Sequence, residues 1–345
     1  MIRLYSDKFY KTQGLQTRYE NDYKGIFNQF KGTKKYTGMV NTCKKFLPQL
    51  QKLCNIQNFP VTFDELIILQ PKKIAEIFKF YINSKNPNFN TLLDNNFRPQ
   101  KRYILDYTYK RYSEAIAQFF IDNKSKGYFN VSTCYYCNMS YINTFKYINK
   151  ENKSIETKKS YDLDHFIPKS VCSLFALCLY NFVPSCKVCN QLKSDDIDFS
   201  NLSTQDIEIL FPTSRKYNYD EALKFRIRHE NLKQFPSFGF LKDGKGKDIR
   251  SEFKIDFDRD VNSHIYEDNE TKPFYILERY EPHKTEFLNH MEKRRKYPPS
   301  FFKLFAKSFS LNESEELKEA IFNVHLRNAE RQIFQKIYND LDEQF

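Results

Sequence analysis

The chain has 345 residues, 40% hydrophobic and 28% charged, with eight Gly and thirteen Pro. That length suits about two domains, and the composition excludes collagen-like, low-complexity and disordered architectures. The formal charge is +12 and all of the excess lies early: residues 1–129 hold 22 Lys and Arg against 10 Asp and Glu, and residues 130–345 hold 33 of each. A basic first third beside a neutral remainder suits a polyanionic partner, most simply nucleic acid, or a solvated Lys-rich surface.

Aromatic residues make up 17% of the chain and are expected mainly in the core. The most apolar stretch, Val171 to Val183, is shorter than the roughly 18 residues of a spanning helix and is interrupted by Tyr180 and Asn181. No membrane span is expected. The opening residues Met1 to Lys8 contain no apolar signal core, so a cytoplasmic location is the expectation.

Residues 1–128 read as a mainly helical region. Thr62-Phe-Asp-Glu65 is a capping-box pattern, and Pro71 suits the first turn of a helix carrying Ile74, Ile77, Phe78 and Tyr81. A longer helix is predicted over Lys101–Lys124, with Ile104, Tyr107, Tyr112, Ile116, Phe119 and Phe120 on one face and Lys101, Arg102, Lys110 and Arg111 as basic decoration. The texture changes near Gly127. Tyr141–Ile148 and Lys159–Leu163 are predicted as strands of a hairpin, joined by a polar loop over Asn149–Lys158.

A short helix is predicted at 171–179, an extended piece at Asn181–Ser185 and a short helix at Lys187–Lys193. Beyond residue 200, strands are predicted at Phe225–Arg228 and Ser251–Phe257, with helices over Lys272–Tyr297. A long amphipathic helix is predicted from Ser310, carrying Leu317, Ile321, Val324, Ile333, Ile337 and Leu341. The resulting division is 1–128, 129–200 and 201–345.

Eight cysteines in a cytosolic chain point to metal rather than disulfides. Cys43, Cys54, Cys172 and Cys178 are scattered among apolar residues and suit buried packing roles. Cys134-Tyr-Tyr-Cys137 and Cys186-Lys-Val-Cys189 are two C-x2-C turns. Each aims two thiolates at one point, and together they complete a tetrahedral structural Zn2+ site.

Between the two cysteine pairs lies Tyr161-Asp-Leu-Asp-His-Phe-Ile-Pro-Lys-Ser170. The Asp164-His165 pair sits at a predicted strand end. Asn181 follows, then Asn190 directly after Cys189, then Lys193 one helical turn on.

This pattern resembles the HNH endonuclease family in its zinc-stapled ββα-metal form. The resemblance is carried by Cys134 to Asp195, with Asn190 at a position that is His or Asn in the family. Tyr-Asp-Leu-Asp-His-Phe-Ile-Pro is also similar to the HNH domain of RNA-guided CRISPR nucleases. The overall layout is similar to stand-alone HNH proteins of bacterial antiphage systems of Septu or retron-linked type.

The resemblance implies a small ββα core. The flanks depart from the family and are read from the sequence, so the expected fold is α+β, with a basic, mainly helical N-terminal region before the core and a mixed C-terminal region ending in a long helix after it. It implies His165 as general base, Asp164 and Asn190 as ligands of a catalytic Mg2+ or Mn2+, and Asn181 holding the His165 ring. Lys193 would contact the substrate phosphate and Asp162 would lie behind these residues. The chemistry is consistent with those types: imidazole titrates near neutrality, and carboxylate and amide oxygens suit a hard cation.

The function so implied is nicking of DNA by an antiphage effector, with an ATPase or reverse transcriptase as the implied protein partner. RNA cleavage and a catalytically silent zinc-ribbon binding module are the alternatives. The remaining histidines, His229, His264, His283, His290 and His325, lack ligand partners at useful spacing. Arg279–Lys284 and Lys293–Lys296 are possible substrate patches or ordinary helix-end charge.

Overall fold

The computed structural model describes residues 4–5, 7–12, 14–83, 86–97, 104–125, 132–149, 153–193, 198–229, 241–242, 245–260, 263–308 and 333–342. The fold is mixed α+β. Its contacts fall into two units, not along the boundaries 128/129 and 200/201. One unit joins Arg3–Val131 with Ile142–Asn218; the other joins Ser132–Tyr141 with Tyr219–Phe345. Among the described residues no helix is long and apolar enough to cross a membrane.

The first unit begins with helices α1 (Asp7–Lys11), α2 (Leu15–Asn28), α3 (Lys34–Cys54), α4 (Phe63–Leu66), α5 (Pro71–Ile82), α6 (Pro87–Phe97) and α7 (Ile104–Ser125). The sequence explains their ends. Thr33 caps α3 by accepting from the Tyr36 amide, and Asn55 closes it in the left-handed region at φ 51°. Thr62 and Glu65 form the expected capping box of α4, and Pro71 opens α5.

The abundant aromatics fill this unit's core. Tyr19, Tyr23 and Phe27 lie four residues apart on α2 and are buried. Tyr19 and Tyr23 meet Phe119 of α7 at 5.0 and 5.2 Å between ring centroids, and Phe27 meets Tyr112 at 5.1 Å. Such edge and tilted contacts add about 0.5–1.5 kcal/mol each beyond burial. Lys101 and Arg102 lie outside the described residues, as does the texture change at Gly127.

Among the described residues the strands form three short pairs. β1 (Thr144–Ile148) pairs antiparallel with β2 (Ile155–Lys159), opposing Phe145 to Lys158 and Ile148 to Ile155. The second arm of this hairpin is therefore not Lys159–Leu163, and the segment predicted as a polar loop contains four of the five residues of β2, Ile155 to Lys158. Lys159–Leu163 instead straddles two strands: β3 (Asp162–His165) turns away to pair antiparallel with β4 (Phe182–Ser185), opposing Asp164 to Val183 and His165 to Phe182.

The connection between β3 and β4 carries two 3-10 turns, Ser173–Phe175 and Leu179–Asn181, where a short helix was predicted. Its backbone is committed to the helices. Tyr23 Oη donates to the Leu177 carbonyl at 2.8 Å, and the Leu179 amide donates to the Ile67 carbonyl at 2.7 Å. Helix α8 spans Lys187–Lys193, as expected, and α9 (Thr204–Leu210) follows with its own capping box from Ser203 and Asp206.

In the second unit, α10 (Tyr219–Ala222) leads into β5 (Leu223–His229), paired antiparallel with β6 (Phe253–Arg259). Alternation buries Leu223, Phe225 and Ile227 with Phe253, Ile255 and Phe257. Further helices are α11 (Ser263–Tyr266), α12 (Ile276–Tyr280), α13 (Lys284–Lys296), α14 (Pro299–Ser308) and α15 (Gln335–Asp342). Phe225 stacks on Tyr280 at 4.7 Å, and the Phe225 amide donates to Asp340 Oδ2 at 2.8 Å. Most of the helix predicted from Ser310, including its capping box, lies outside the described residues; Ile333 and Phe334 form a turn, with Phe334 at φ 59°, and α15 begins at Gln335.

The turn Ser132–Tyr141 folds with this second unit. Asn138 adopts φ 52°, its side chain donates to Thr133 Oγ1 at 2.7 Å, and its Oδ1 accepts from the Lys336 amide at 3.1 Å. Tyr136 stacks on Phe274 at 4.5 Å, and Tyr280 Oη donates to the Cys137 carbonyl at 2.7 Å. These bonds explain why a segment just ahead of β1 belongs with residues far along the chain.

Candidate metal and catalytic site

The four paired cysteines come together. The ligand sulfurs of Cys134, Cys137, Cys186 and Cys189 all lie within 4.8 Å of one another, and all four residues are buried. A tetrahedral zinc site with Zn–S near 2.3 Å has sulfurs about 3.8 Å apart, so the cluster has the donor type and spacing to hold zinc. Each pair also shows an amide pointing back at a sulfur: Met139 N to Cys137 Sγ and Cys189 N to Cys186 Sγ, both 3.4 Å.

The other cysteines behave differently. Burial pushes the Cys43 thiol up to about 12 and raises those of Cys54 and Cys178, so these stay protonated. Cys178 Sγ donates to the Leu66 carbonyl at 3.0 Å. Packing is their role, as the sequence suggests.

β3 carries Asp162, Asp164 and His165. Strand alternation sets Asp162 and Asp164 on one side. His165 is only 6% exposed, and its Nε2 lies 3.0 Å from the Ala176 carbonyl oxygen. A carbonyl only accepts, so Nε2 carries the hydrogen and Nδ1 is the basic nitrogen. Burial holds the ring's pKa down at about 4, against smaller upward pulls from the Ala176 carbonyl and Asp164; Lys193 and Lys169 add to the depression. The imidazole is therefore neutral at physiological pH.

Asn181 departs from its expected role. It does not hold the imidazole. Its Oδ1 accepts from the Ile167 amide at 2.8 Å, and its Nδ2 donates to the carbonyls of Ile167 at 3.0 Å and Phe175 at 3.2 Å. The fully buried amide thus clamps both sides of the β3–β4 connection. It acts on His165 at one remove, since Ala176, the ring's partner, follows Phe175.

Asn190 and Lys193 sit one turn apart on α8, so both address β3. Asn190 Nδ2 donates to Asp162 Oδ2 at 3.1 Å. Asp162, expected behind the site, is thus Asn190's direct partner. Lys193 is also corrected. Its side chain turns inward, 2% exposed, and its Nζ bonds Asp164 Oδ2 at 2.6 Å and the His165 carbonyl. It ties α8 to β3 and is not presented to a substrate phosphate.

The carboxylate of Asp164 and the amide oxygen of Asn190 are oxygen donors of the hard type that Mg2+ or Mn2+ takes. Any cation held there shares Asp164 with the Lys193 ammonium.

Sequence reasoning missed Tyr109. Its ring meets His165 edge-on at 4.7 Å and lies over Phe182 at 6.0 Å, while Lys169 Nζ lies 5.3 Å from its centroid. Burial, then the nearby Asp164 and Asp162 carboxylates, pushes its phenol up to about 12. The available signal was helical spacing, since Tyr109 precedes Tyr112 and Ile116 by three and seven residues.

The distant basic run is partly structural. Arg294 Nε pairs with Asp342 at 2.6 Å, as does His290 Nε2 at 2.8 Å. Comparison of the chain with protein-family models, with curated proteins and with solved structures gave no match.

Proposed function

We propose that this chain is a metal-dependent endonuclease of the HNH type that hydrolyses phosphodiester bonds, foremost in DNA, one strand per site. The observation that carries the reading is the His165 imidazole. It is neutral, with Nε2 held by the Ala176 carbonyl and Nδ1 as the basic atom, beside Asp164 on a β3–β4–α8 segment.

In this reading Nδ1 accepts a proton from the water that attacks phosphorus. The new O–P bond forms as the bond to the 3′ oxygen breaks; that oxygen leaves with the bonding pair and takes a proton from solvent, giving a 5′-phosphate and a 3′-hydroxyl. Asp164 and Asn190 would hold a divalent ion, which supplies charge neutralisation at the scissile phosphate and the departing oxygen. Asn181 keeps the connection bearing Ala176 in place, so the ring's tautomer is fixed before substrate arrives. Tyr109 and Phe182 wall the imidazole and limit its rotation. The four-cysteine cluster is assigned a structural zinc.

The test is supercoiled plasmid incubated with the full chain and Mg2+ or Mn2+, beside a His165→Ala variant of unchanged melting temperature. Metal-dependent nicking that disappears in the variant supports the reading. A second reading, a silent zinc-bound module, draws on the Lys193 ammonium already seated on Asp164. It expects no divalent-ion-dependent cleavage of DNA or RNA by folded protein, and any binding unaltered by His165→Ala.

A further inference from the structure

Among the described strands the β1–β2 ribbon stands apart in the exposure of its large apolar side chains. Phe145 is 51% exposed, Ile148 66% and Ile155 71%. The ribbon forms a sheet of its own two strands. Register places Phe145, Tyr147 and Lys158 on one face, with the Lys158 ammonium 4.3 Å from the Tyr147 ring centroid. Ile148 and Ile155 lie on the opposite face with Lys146. Apolar side chains so exposed at adjacent positions call for an occupant.

Charge selects that occupant. Residues 144–159 contain five lysines against two glutamates, which disfavours a second copy of the same ribbon and favours a polyanion. Size agrees. Five residues of strand span about 17 Å, and two strands lie about 4.8 Å apart. A duplex major groove about 12 Å wide admits such a ribbon.

Position also agrees. The ribbon's base is closed by Ser160, whose amide donates to the Asn143 carbonyl at 2.8 Å and whose Oγ accepts from the Asn143 amide at 3.0 Å. Lys159 Nζ then donates to the Tyr161 carbonyl at 2.8 Å, immediately before β3 begins at Asp162. A duplex gripped by the ribbon is thereby registered against the strand that carries Asp164 and His165.

We propose that the β1–β2 ribbon is a duplex-DNA contact surface, with the face bearing Ile148 and Ile155 packing within the groove and Lys146 and Lys158 neutralising the flanking phosphates. The proposal deepens the nuclease reading and rests on it for the identity of the nucleic acid.

Two measurements on the full chain test it, without added divalent ion. The first is affinity for a duplex of about 20 base pairs across a salt series. Lys146→Ala with Lys158→Ala is expected to weaken binding on the order of tenfold at low salt. It should also flatten the slope of log K against log salt by about 2, since each phosphate contact contributes about 0.9. Ile148→Ser with Ile155→Ser should weaken binding with the slope unchanged.

The second measurement needs no variant: chemical acetylation of the wild-type lysines with and without duplex, in which Lys146 and Lys158 are expected to be protected. Unprotected ribbon lysines together with an unchanged slope would overturn the proposal. So would failure of the wild-type chain to bind duplex, or ribbon variants that lose only a protein partner. The plasmid assay reads separately. Protection without nicking keeps the ribbon and removes the nuclease; nicking without protection does the reverse.

Discussion

β1–β2 and β3–β4 are both antiparallel pairs of four or five residues a strand, separated in sequence only by Ser160 and Tyr161. Their surroundings differ. Leu163, Asp164, His165 and all four residues of β4 are buried, whereas Phe145, Lys146 and Ile148 of β1 are exposed. The polar groups of β3 are correspondingly partnered: Asp164 by Lys193, Asp162 by Asn190, His165 by the Ala176 carbonyl. On the ribbon, Lys146 and Lys158 are exposed, Lys158 lying over the Tyr147 ring. In the proposed reading the same strand pairing serves two ends: the buried pair holds side chains for chemistry, since desolvation sharpens every charge interaction, and the exposed pair offers surface to duplex.

The largest expected effect lies in the sulfur cluster. Cys186→Ser, at the end of β4, should release zinc and lower the melting temperature sharply, because structural zinc contributes on the order of 10 kcal/mol in small modules. Metal analysis and thermal melting check this; retained zinc with unchanged melting would separate the cluster from the stability of β3–β4.

Next is Lys193→Met, which strands Asp164 without its buried cation. A cost of about 3–5 kcal/mol in denaturant unfolding is expected. A cost below about 1 kcal/mol would show that Asp164 is as well solvated as a ribbon residue.

The His165 ring gives a pH signature. Its folded-state pKa of about 4 lies below the ordinary value near 6.5, so the unfolded chain takes up a proton first as pH falls. Stability associated with this residue is present above pH 6.5 and is lost as pH drops toward 4, by about 3 kcal/mol in full. His165→Gln should flatten that part of the pH–stability curve. Superimposable slopes would contradict burial of the neutral ring.

The smallest effect is expected in the ribbon. Ile148→Thr and Ile155→Thr should each change stability by no more than about 0.5 kcal/mol, as exposed positions do. A larger loss would place those side chains in a packed interior.

The contrast between the two strand pairs was only half legible in the sequence. The cysteine spacing, the α8 limits, the α4 capping box and the α5 proline follow local rules and could be read directly. The Asp164-His165 order was legible too, as residue types in a row. Partnership was not. Lys193 has the same appearance in sequence whether it faces solvent or Asp164, because its direction depends on α8 packing against β3.

Asn181 was misread for a similar reason. Its partners are backbone groups of Ile167 and Phe175, which carry no sequence signature. β2 was missed because an exposed strand has no hydrophobic alternation to announce it, while Tyr161 and Leu163 drew the predicted strand across the junction with β3. The first cysteine turn was assigned to a central segment by proximity along the chain. Its grouping with the second unit depends on bonds from residues as distant as Lys336.

The most direct measurement is the single-turnover cleavage rate at saturating duplex with Mg2+ or Mn2+. It compares the wild-type chain, His165→Ala, and the Lys146→Ala, Lys158→Ala pair. If β3–β4 performs the chemistry and the ribbon only holds substrate, His165→Ala loses the rate by on the order of a hundredfold or more even at saturation. The ribbon variant should recover the wild-type rate once duplex is raised to match its weaker affinity. A His165→Ala rate equal to wild type, or a ribbon variant still slow at saturation, would contradict the account.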